Sequence, residues 1–189
     1  KALSVPLKAI VAFQSYTRDA VGLRPEDSFW NLADPGWAYG IYFGITGPLS
    51  MGHPITLYDG PFTVESTCRV IRKYGITNLT GSPTAYRLLI AAGDAFASKI
   101  KGQLRVVSSA GEPLNPEVIR WFADELNVTI HDHYGQTEVG MVLCNHHGLD
   151  HPVHMGAAGF ASPGHRIVVL DDNHQELQIG RASCRERVS

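Results

Sequence analysis

Residues 104–138 read LRVVSSAGEPLNPEVIRWFADELNVTIHDHYGQTE, with a helical pattern between two apolar runs. The first run, residues 104–108, is short and continuous, which is typical of a strand buried on both faces. Asn115 and Pro116 indicate the start of a helix, because asparagine caps the first turn and proline fits the first helical position. The second run, residues 128–133, predicts another strand. This order of strand, helix and strand predicts a βαβ unit with parallel strands.

The same alternation of short apolar runs and helical spacing fills the preceding part of the chain. Turn residues such as those of DPG at residues 34–36 separate the segments. Predicted strands cover residues 28–32, 55–58 and 77–80, and predicted helices cover residues 5–21, 37–51, 63–73 and 83–92. We therefore predict the α/β class, in which βαβ units build a mostly parallel sheet flanked by helices.

The pattern changes after Glu138. Residues 148–164 are rich in glycine, histidine and proline without a helical period, and residues 166–170 then predict a strand. We therefore predict an α/β subdomain over residues 1–140 and the start of a β-rich subdomain over residues 141–179. Residues 180–189, GRASCRERVS, contain three arginines and no apolar period. We interpret them as a vector-derived tail rather than a native basic tail.

Composition excludes several classes of protein. The formal charge is −2 and no basic stripe interleaved with aromatic residues occurs, so no nucleic-acid partner is expected. Glycine and proline interrupt the apolar stretches, which are shorter than the ~20 residues of a membrane span. Three cysteines without a CxxC pair argue against a disulfide framework and a structural zinc site, and favour a cytoplasmic location.

Histidines are concentrated in one part of the chain. Six of the nine lie between residues 131 and 154, but their spacings match no zinc template. We therefore interpret the cluster as a chance accumulation in a polar loop rather than as a metal site. For His133, contact with a ligand and packing in the core are both open.

Two loops follow predicted parallel strands at the carboxyl edge, where ligands bind in sheets of this class. Residues 108–113, SSAGEP, have small side chains that allow a planar ligand to approach the backbone, although an ordinary βα turn has the same composition. Residues 132–138, DHYGQTE, offer an acceptor, a stacking face, a hydroxyl and a carboxylate able to hold Mg²⁺ beside phosphates. The second loop is therefore a candidate nucleotide site.

Together the two loops carry a family resemblance. AGEPL at residues 110–114 and YGQTE at residues 134–138 resemble two core motifs of the adenylate-forming superfamily, specifically of its acyl-CoA synthetases. Residues 33–37, ADPGW, resemble the family's Asp-x-Gly-Trp segment, and residues 156–170 resemble the Gly-x-x-Gly stretch that follows in the family. The resemblance covers residues 1–177. It implies that a carboxylic acid is activated with Mg·ATP to an acyl-adenylate and pyrophosphate, and that the acyl group then passes to the thiol of coenzyme A.

The resemblance also implies roles for individual residues. Residues 111–113 flank adenine, with Tyr134 on the ring and Asp132 near the amino group. The catalytic residues are Thr137, which contacts the α-phosphate, and Glu138, which ligates Mg²⁺. The complete set of implied nucleotide-binding residues is Ala110, Gly111, Glu112, Pro113, Asp132, His133, Tyr134, Gly135, Gln136 and Thr137.

Four residues match positions that line the acyl pocket in this family: Trp37, Ala38, Tyr39 and Gly135. Family members specialised for acetate resemble Trp-Trp-Gln-Thr-Glu where this chain has residues 134–138, YGQTE, and the tryptophan in place of Gly135 closes their pocket. Glycine leaves the pocket open, so we expect a medium-chain or aromatic carboxylate as substrate. Gly135→Trp is then expected to shift the preference toward acetate or propionate.

Several parts of the family pattern have no counterpart in the sequence, namely the phosphate loop, a Tyr-Arg-Thr-Gly-Asp segment and the C-terminal domain with the catalytic lysine. We therefore expect this chain to be a piece of a longer enzyme, inactive by itself and acting with the C-terminal domain of the same polypeptide. The expected ligands are a small carboxylate, ATP, Mg²⁺ and coenzyme A. A non-catalytic α/β nucleotide-binding module is the alternative.

Overall fold

The computed structural model describes residues 3–177, so the predicted tail at residues 180–189 lies outside the described part of the chain. The helices are α1 (Ala9–Ser15), α2 (Ala38–Gly40), α3 (Gly47–Ser50), α4 (Val64–Lys73), α5 (Pro83–Ile90), α6 (Asp94–Ile100) and α7 (Pro116–Leu126), with π-helical segments at Tyr16–Ala20 and Ile41–Thr46. The strands are β1 (Phe29–Asn31), β2 (Asn78–Gly81), β3 (Val106–Ala110), β4 (Ile130–Gln136), β5 (Gly140–Cys144), β6 (Phe160–Ala161), β7 (Val169–Leu170) and β8 (Glu176–Leu177). Within residues 3–177, no helix combines the length and the apolar character that crossing a membrane requires.

Six strands form one sheet in the order β1-β2-β3-β4-β5-β6. Strands β1 to β4 pair in parallel, whereas β5 pairs antiparallel with β4 and β6 pairs antiparallel with β5. The predicted α/β fold with a mostly parallel sheet is therefore confirmed. The predicted boundary at residue 140 coincides with the start of β5, so β5 and β6 extend the same sheet into the predicted second segment. Strands β7 and β8 pair separately as a two-stranded antiparallel ribbon.

Helices cover both faces of the sheet. Leu79, Val107 and Ile130 are in register on β2, β3 and β4 and belong to the core that α4–α7 close. Phe29 and Ala110 belong to a second core, which α1 and the π-helical segments close. As a result, every residue of β1, β2 and β3 is buried. A ligand therefore has access to the ends of these strands and not to their faces.

Several of the predicted elements differ in the structure. The helix predicted at residues 5–21 is divided into α1 and a π-helical segment, and residues 132–136, which were expected in a loop, belong to β4. The strand predicted at residues 55–58 is wrong, because only an isolated bridge forms, with the Thr56 amide donating to the Phe29 carbonyl at 3.0 Å. Pro54 has no amide hydrogen, so it cannot extend a ladder on that side. The predicted helix at residues 37–51 is helical but is divided into α2, a π-helical segment and α3.

Two histidine rings stack on each other, one from β4 and one from the segment after β5. The rings of His131 and His147 are 3.7 Å apart between centroids and 5° from parallel. Each is held by a backbone carbonyl, because His131 Nδ1 donates to Asn145 at 2.9 Å and His147 Nε2 donates to Val107 at 3.1 Å. Burial lowers the pKa of both rings. Among residues 3–177, no group of three or more histidine, cysteine, aspartate or glutamate side chains is arranged to hold a metal ion.

Acidification is expected to destabilise the fold from about pH 6.5 downward, the ordinary pKa of histidine. Burial lowers the pKa of His131, His146 and His147, and lowers that of His133 to about 3. The unfolded chain therefore binds protons before the folded chain does, so the stability is complete above the unfolded pKa and is lost as the pH falls. Between its unfolded and its folded pKa, each such ring costs up to about 1.4 kcal/mol per pH unit.

Urea unfolding at pH 7.5 and pH 5.5 measures this effect. His147→Gln keeps a side-chain donor for the Val107 carbonyl but cannot take up a proton, so its unfolding free energy should depend less on pH than that of the unmodified chain. His154→Gln is the matched control, because His154 is exposed and its replacement should leave the pH dependence unchanged. Equal unfolding free energies of the unmodified chain at the two pH values would contradict the expectation.

Candidate active site

One cavity of about 550 Å³, the main cavity, lies at the carboxyl edge of the sheet, where the loops after β1 and β3 meet the β4–β5 hairpin. Ligands of open α/β sheets bind in the crevice at this edge. The cavity brings together residues 37–39, 110–112 and 135–137, which are parts of three segments that the sequence placed in the site. Its other lining residues are Leu32, Ala33, Asp34, Phe43, Ser82 and Met141.

The loop after β3 presents its backbone to this cavity. Gly111 has a φ of 98°, a left-handed conformation that favours glycine, and a Cβ at this position would meet nothing within 4 Å. A planar ligand therefore has room to approach the backbone here. The loop is held from α5, because Tyr86 Oη donates to the Ser108 carbonyl at 2.6 Å and the side chain of Glu112 is turned toward α5.

Gly135 lies where the two strands of the hairpin come closest. The pairing register shifts between Tyr134 and Gly135. A Cβ on Gly135 would lie 2.3 Å from the Gly140 carbonyl oxygen and 2.6 Å from Met141 Sδ. The close approach of the β5 backbone therefore requires glycine at this position. Tyr134 is half-exposed, and its Oη accepts a hydrogen bond from Gln136 Nε2 at 2.9 Å.

Aromatic side chains form the opposite wall of the cavity. Tyr39 and Phe43 lie one helical turn apart, and Trp37 stands at the rim with 74% of its surface exposed. Asn31 Nδ2 donates to the Tyr39 carbonyl at 3.1 Å, which ties this segment to the end of β1. Burial raises the pKa of the Tyr39 hydroxyl, so the phenol stays neutral. This wall suits an uncharged, apolar part of a ligand.

Two predicted site residues, Asp132 and Glu138, border other cavities. Asp132 lines a space of about 300 Å³ between β4 and residues 153–157, where burial raises the pKa of its carboxyl to about 6. Its Oδ1 has no hydrogen-bond partner within the described part of the chain. Glu138 and Thr137 line a cavity of about 160 Å³ against α1, and Thr137 also borders the main cavity. Neither carboxylate therefore belongs to a residue that lines the main cavity, and Thr137 is shared by that cavity and the one that Glu138 lines.

His133 has a packing role, one of the two roles that the sequence left open. Its ring is buried, and Nε2 donates to the Asn145 carbonyl at 3.0 Å. This assigns the hydrogen to Nε2, so Nδ1 accepts a hydrogen bond from Tyr16 Oη at 2.8 Å. Both ring nitrogens are occupied by the protein, and the ring is not available to a ligand.

Several residues that line the cavity are not among the predicted site residues. Phe43 follows Tyr39 by four positions on a predicted helix, and this spacing could have indicated a shared face. Ser82 directly follows β2, so the rule that ligands bind at strand ends could have added it to the site. Met141 had no local signal, because its place in the cavity depends on how β5 folds back onto β4.

Comparison with known proteins shows the family of the chain. Residues 4–182 match the family described as AMP-binding enzyme. This chain belongs to the AMP-binding enzyme family. The resemblance inferred from the two loop motifs is thereby confirmed, and both motifs lie inside the matched range.

Relatives of this AMP-binding family member include acyl-CoA ligases. It is 40% identical over 157 residues to acetyl-coenzyme A synthetase of Bacillus subtilis, covering 82% of this chain and 27% of the relative. It is 35% identical over 179 residues to 4-hydroxybutyrate–CoA ligase 1 of Metallosphaera sedula, covering 93% of this chain and 30% of the relative. The crystal structure of Brucella canis acyl-CoA synthetase superimposes with a TM-score of 0.91 and 62% identity, covering 94% of this chain and 33% of that one. This AMP-binding chain therefore spans about a third or less of the length of these relatives.

Proposed function

We propose that the chain is the central part of the large N-terminal domain of an acyl-CoA synthetase. The enzyme would activate a carboxylic acid with ATP to an acyl-adenylate and pyrophosphate, and then transfer the acyl group to the thiol of coenzyme A. The observation that carries this proposal is the main cavity, in which three sequence segments that bear the family motifs meet at the carboxyl edge of the sheet. The buried, free thiols of Cys68 and Cys144 suit a reducing cytoplasm, which we propose as the location.

The nucleotide would bind along the loop after β3 and the hairpin. The open space next to Gly111 would admit the flat adenine ring against the loop backbone. Glu112 also lines the cavity, and Pro113, which follows it in the chain, would flank the ring as well. Tyr134 is half-exposed and can turn its ring onto the base. Asp132 has a buried, unpaired Oδ1 within the described residues, which could accept a hydrogen bond from the adenine amino group.

Thr137 and Glu138 would act at the phosphates. Thr137 borders the main cavity, where its hydroxyl can donate to an α-phosphate oxygen. Glu138 is exposed, and its carboxylate is in no ion pair within residues 3–177. Its oxygens fit Mg²⁺, a hard cation that prefers carboxylate ligands and keeps several waters. When bound, Mg²⁺ would offset the negative charge that builds up between the attacking carboxylate and the phosphate.

The acyl group would lie against the aromatic wall. Trp37, Ala38, Tyr39 and Phe43 provide an apolar surface at the end of the cavity opposite the loop after β3. In-line attack on phosphorus depends mainly on positioning and electrostatics, so this end needs no nucleophile of its own. A medium-chain or aromatic carboxylate is the substrate class that we propose for it.

Coenzyme A and the C-terminal domain complete the proposal. The relatives are about three times as long as this chain or longer, so the remaining groups would come from other parts of the same polypeptide. Because the phosphate loop and the catalytic lysine of the family lie in those parts, we propose that the chain of residues 1–189 is inactive by itself.

Pyrophosphate release tests the proposal. A polypeptide of the relatives' length that contains this chain is expected to release pyrophosphate from Mg·ATP with at least one of a panel of acids from acetate to decanoate and benzoate. The 189-residue chain with the same panel is expected to release none. If the long polypeptide binds ATP but releases no pyrophosphate with any acid, a non-catalytic nucleotide-binding module is the correct interpretation. Release by the short chain would contradict its proposed inactivity.

A further inference from the structure

Three polar side chains at the edge of the main cavity hold the loop after β3 to helix α5. Thr84 Oγ1 donates to Glu112 Oε2 at 2.7 Å, and Arg87 Nη2 donates to the same oxygen at 2.9 Å. Arg87 Nη2 also donates to Thr84 Oγ1 at 2.6 Å, so each of the three side chains contacts both others. The carboxylate of Glu112 is thus bound on the α5 side of the loop, while the residue itself lines the cavity.

The sequence at the start of α5 accounts for this geometry. Ser82 caps the helix, because its side chain accepts a hydrogen bond from the Ala85 amide at 3.3 Å, and Pro83 occupies the first helical position. Thr84 and Arg87 are three residues apart, so they lie next to each other on one side of the helix. Ser82 itself lines the cavity, which places the network at the cavity's rim.

Gly111 explains why this loop depends on the network. It has no side chain with which to hold its own position. Its φ of 98° is left-handed, and the space next to its Cα is open. The residues on either side must therefore fix the peptide that borders the cavity. Tyr86 holds the buried end through the Ser108 carbonyl, and Arg87 with Thr84 holds the exposed end through Glu112.

Charge gives the network a second effect. Glu112 is one of the acidic residues that line the main cavity, and ATP is a polyanion. Arg87 neutralises this carboxylate and keeps it on the α5 side of the loop. Hydrogen bonds from Thr84, together with the Arg87 guanidinium, also lower the pKa of Glu112, so the carboxylate stays ionised and bound to them.

We infer that Arg87 is a positioning residue for nucleotide binding: by holding the Glu112 carboxylate away from the cavity, it fixes the Gly111–Glu112 backbone against which the purine lies. This inference rests on the proposed function, because it concerns the nucleotide end of the same cavity. Without Arg87 only the Thr84 hydroxyl still holds the Glu112 carboxylate, so the outer attachment of the loop is weakened and the negative charge of Glu112 is no longer neutralised.

Steady-state kinetics of the long polypeptide test this inference. Arg87→Ala is expected to raise the KM for ATP about fivefold, because an exposed ion pair contributes up to ~1 kcal/mol and 1.4 kcal/mol corresponds to a factor of ten. The kcat and the KM for the acid are expected to stay within about twofold, since Arg87 touches neither the acid nor the reacting atoms. Arg87→Lys keeps the charge without the planar guanidinium, so its KM for ATP should lie between that of the unmodified polypeptide and that of Arg87→Ala. Arg120→Ala is the control, because Arg120 is exposed on α7 and outside the network.

A double-mutant cycle separates positioning from general damage to the fold. If Arg87 acts through Glu112, the KM for ATP of Arg87→Ala/Glu112→Ala should not exceed that of Arg87→Ala. An unchanged KM for ATP in Arg87→Ala, or additive effects of the two substitutions, would overturn the inference. Thr84→Val removes a bond to Glu112 without changing any charge, and it should raise the same KM by less than Arg87→Ala.

A binding measurement keeps this inference distinct from the proposed function. Titration with AMP, followed by calorimetry, should give a Kd about fivefold weaker for Arg87→Ala than for the unmodified long polypeptide. If pyrophosphate release fails for every acid but this difference is found, the proposed enzyme activity is wrong and the positioning role stands. If pyrophosphate is released and the AMP affinities are equal, the positioning role alone is wrong.

Discussion

Gly135→Trp is expected to disrupt the β4–β5 hairpin rather than to shorten the acyl pocket. A Cβ at Gly135 would lie 2.3 Å from the Gly140 carbonyl oxygen and 2.8 Å from Met141 Cα. Both are backbone atoms held by the pairing of β4 with β5, so they cannot move aside as a flexible side chain could. The preference for acetate that the sequence predicted for this variant therefore requires the β5 backbone to shift away from β4.

Thermal unfolding measures this effect. Forcing side-chain atoms into a packed site costs about 1–3 kcal/mol and more against backbone, and about 3 kcal/mol lowers the Tm of a chain of this size by roughly 6–12 °C. Gly52→Ala is the control, because a Cβ there meets nothing within 4 Å. The only destabilisation expected of it comes from placing alanine at a left-handed φ of 74°. An unchanged Tm for Gly135→Trp, combined with a new preference for acetate, would support the sequence-based prediction against the structure-based one.

Glu138→Gln is expected to lower the kcat for pyrophosphate release about 10²- to 10³-fold, the range seen when one group that stabilises developing charge is removed. The carboxylate of Glu138 is exposed at the turn of the hairpin, next to Thr137, and is in no ion pair within residues 3–177. The amide keeps the size of the side chain but is a weaker ligand for Mg²⁺. The loss should therefore appear in kcat and in the Mg²⁺ dependence, with little change in stability.

The measurement is a Mg²⁺ titration of pyrophosphate release by the long polypeptide at saturating acid and ATP. Glu65→Gln provides the matched control, because Glu65 is exposed on α4, outside the residues that line the main cavity. A Glu138→Gln enzyme with the kcat and Mg²⁺ dependence of the unmodified one would remove Glu138 from the proposed site. If the loss of activity is accompanied by a Tm well below that of the unmodified polypeptide, Glu138 has a role in the fold instead.

Local signals predicted most of the elements that surround the site. Asn115 caps α7 as expected, with its Oδ1 accepting from the Glu117 amide at 2.9 Å, and the runs at residues 104–108 and 128–133 overlap β3 and β4. Helix α6 is not predicted, because it is short and follows Gly93, and a glycine at such a place indicates a turn. In the structure Gly93 has a positive φ of 51° and directly precedes the helix. The run at residues 55–58 has the composition of a strand but makes only one bridge.

The sequence by itself determined the alternation of strands and helices and the position of both motif loops at strand ends, because periodicity and turn residues act over a few neighbouring positions. Only the tertiary structure decided that Gly135 is required by the β5 backbone, that the His133 ring faces the core and that Arg87 holds Glu112. Each of these contacts joins parts of the chain that meet only after the strands have paired. Their geometry depends on the strand register and on the packing of helices over the sheet, which no local pattern specifies.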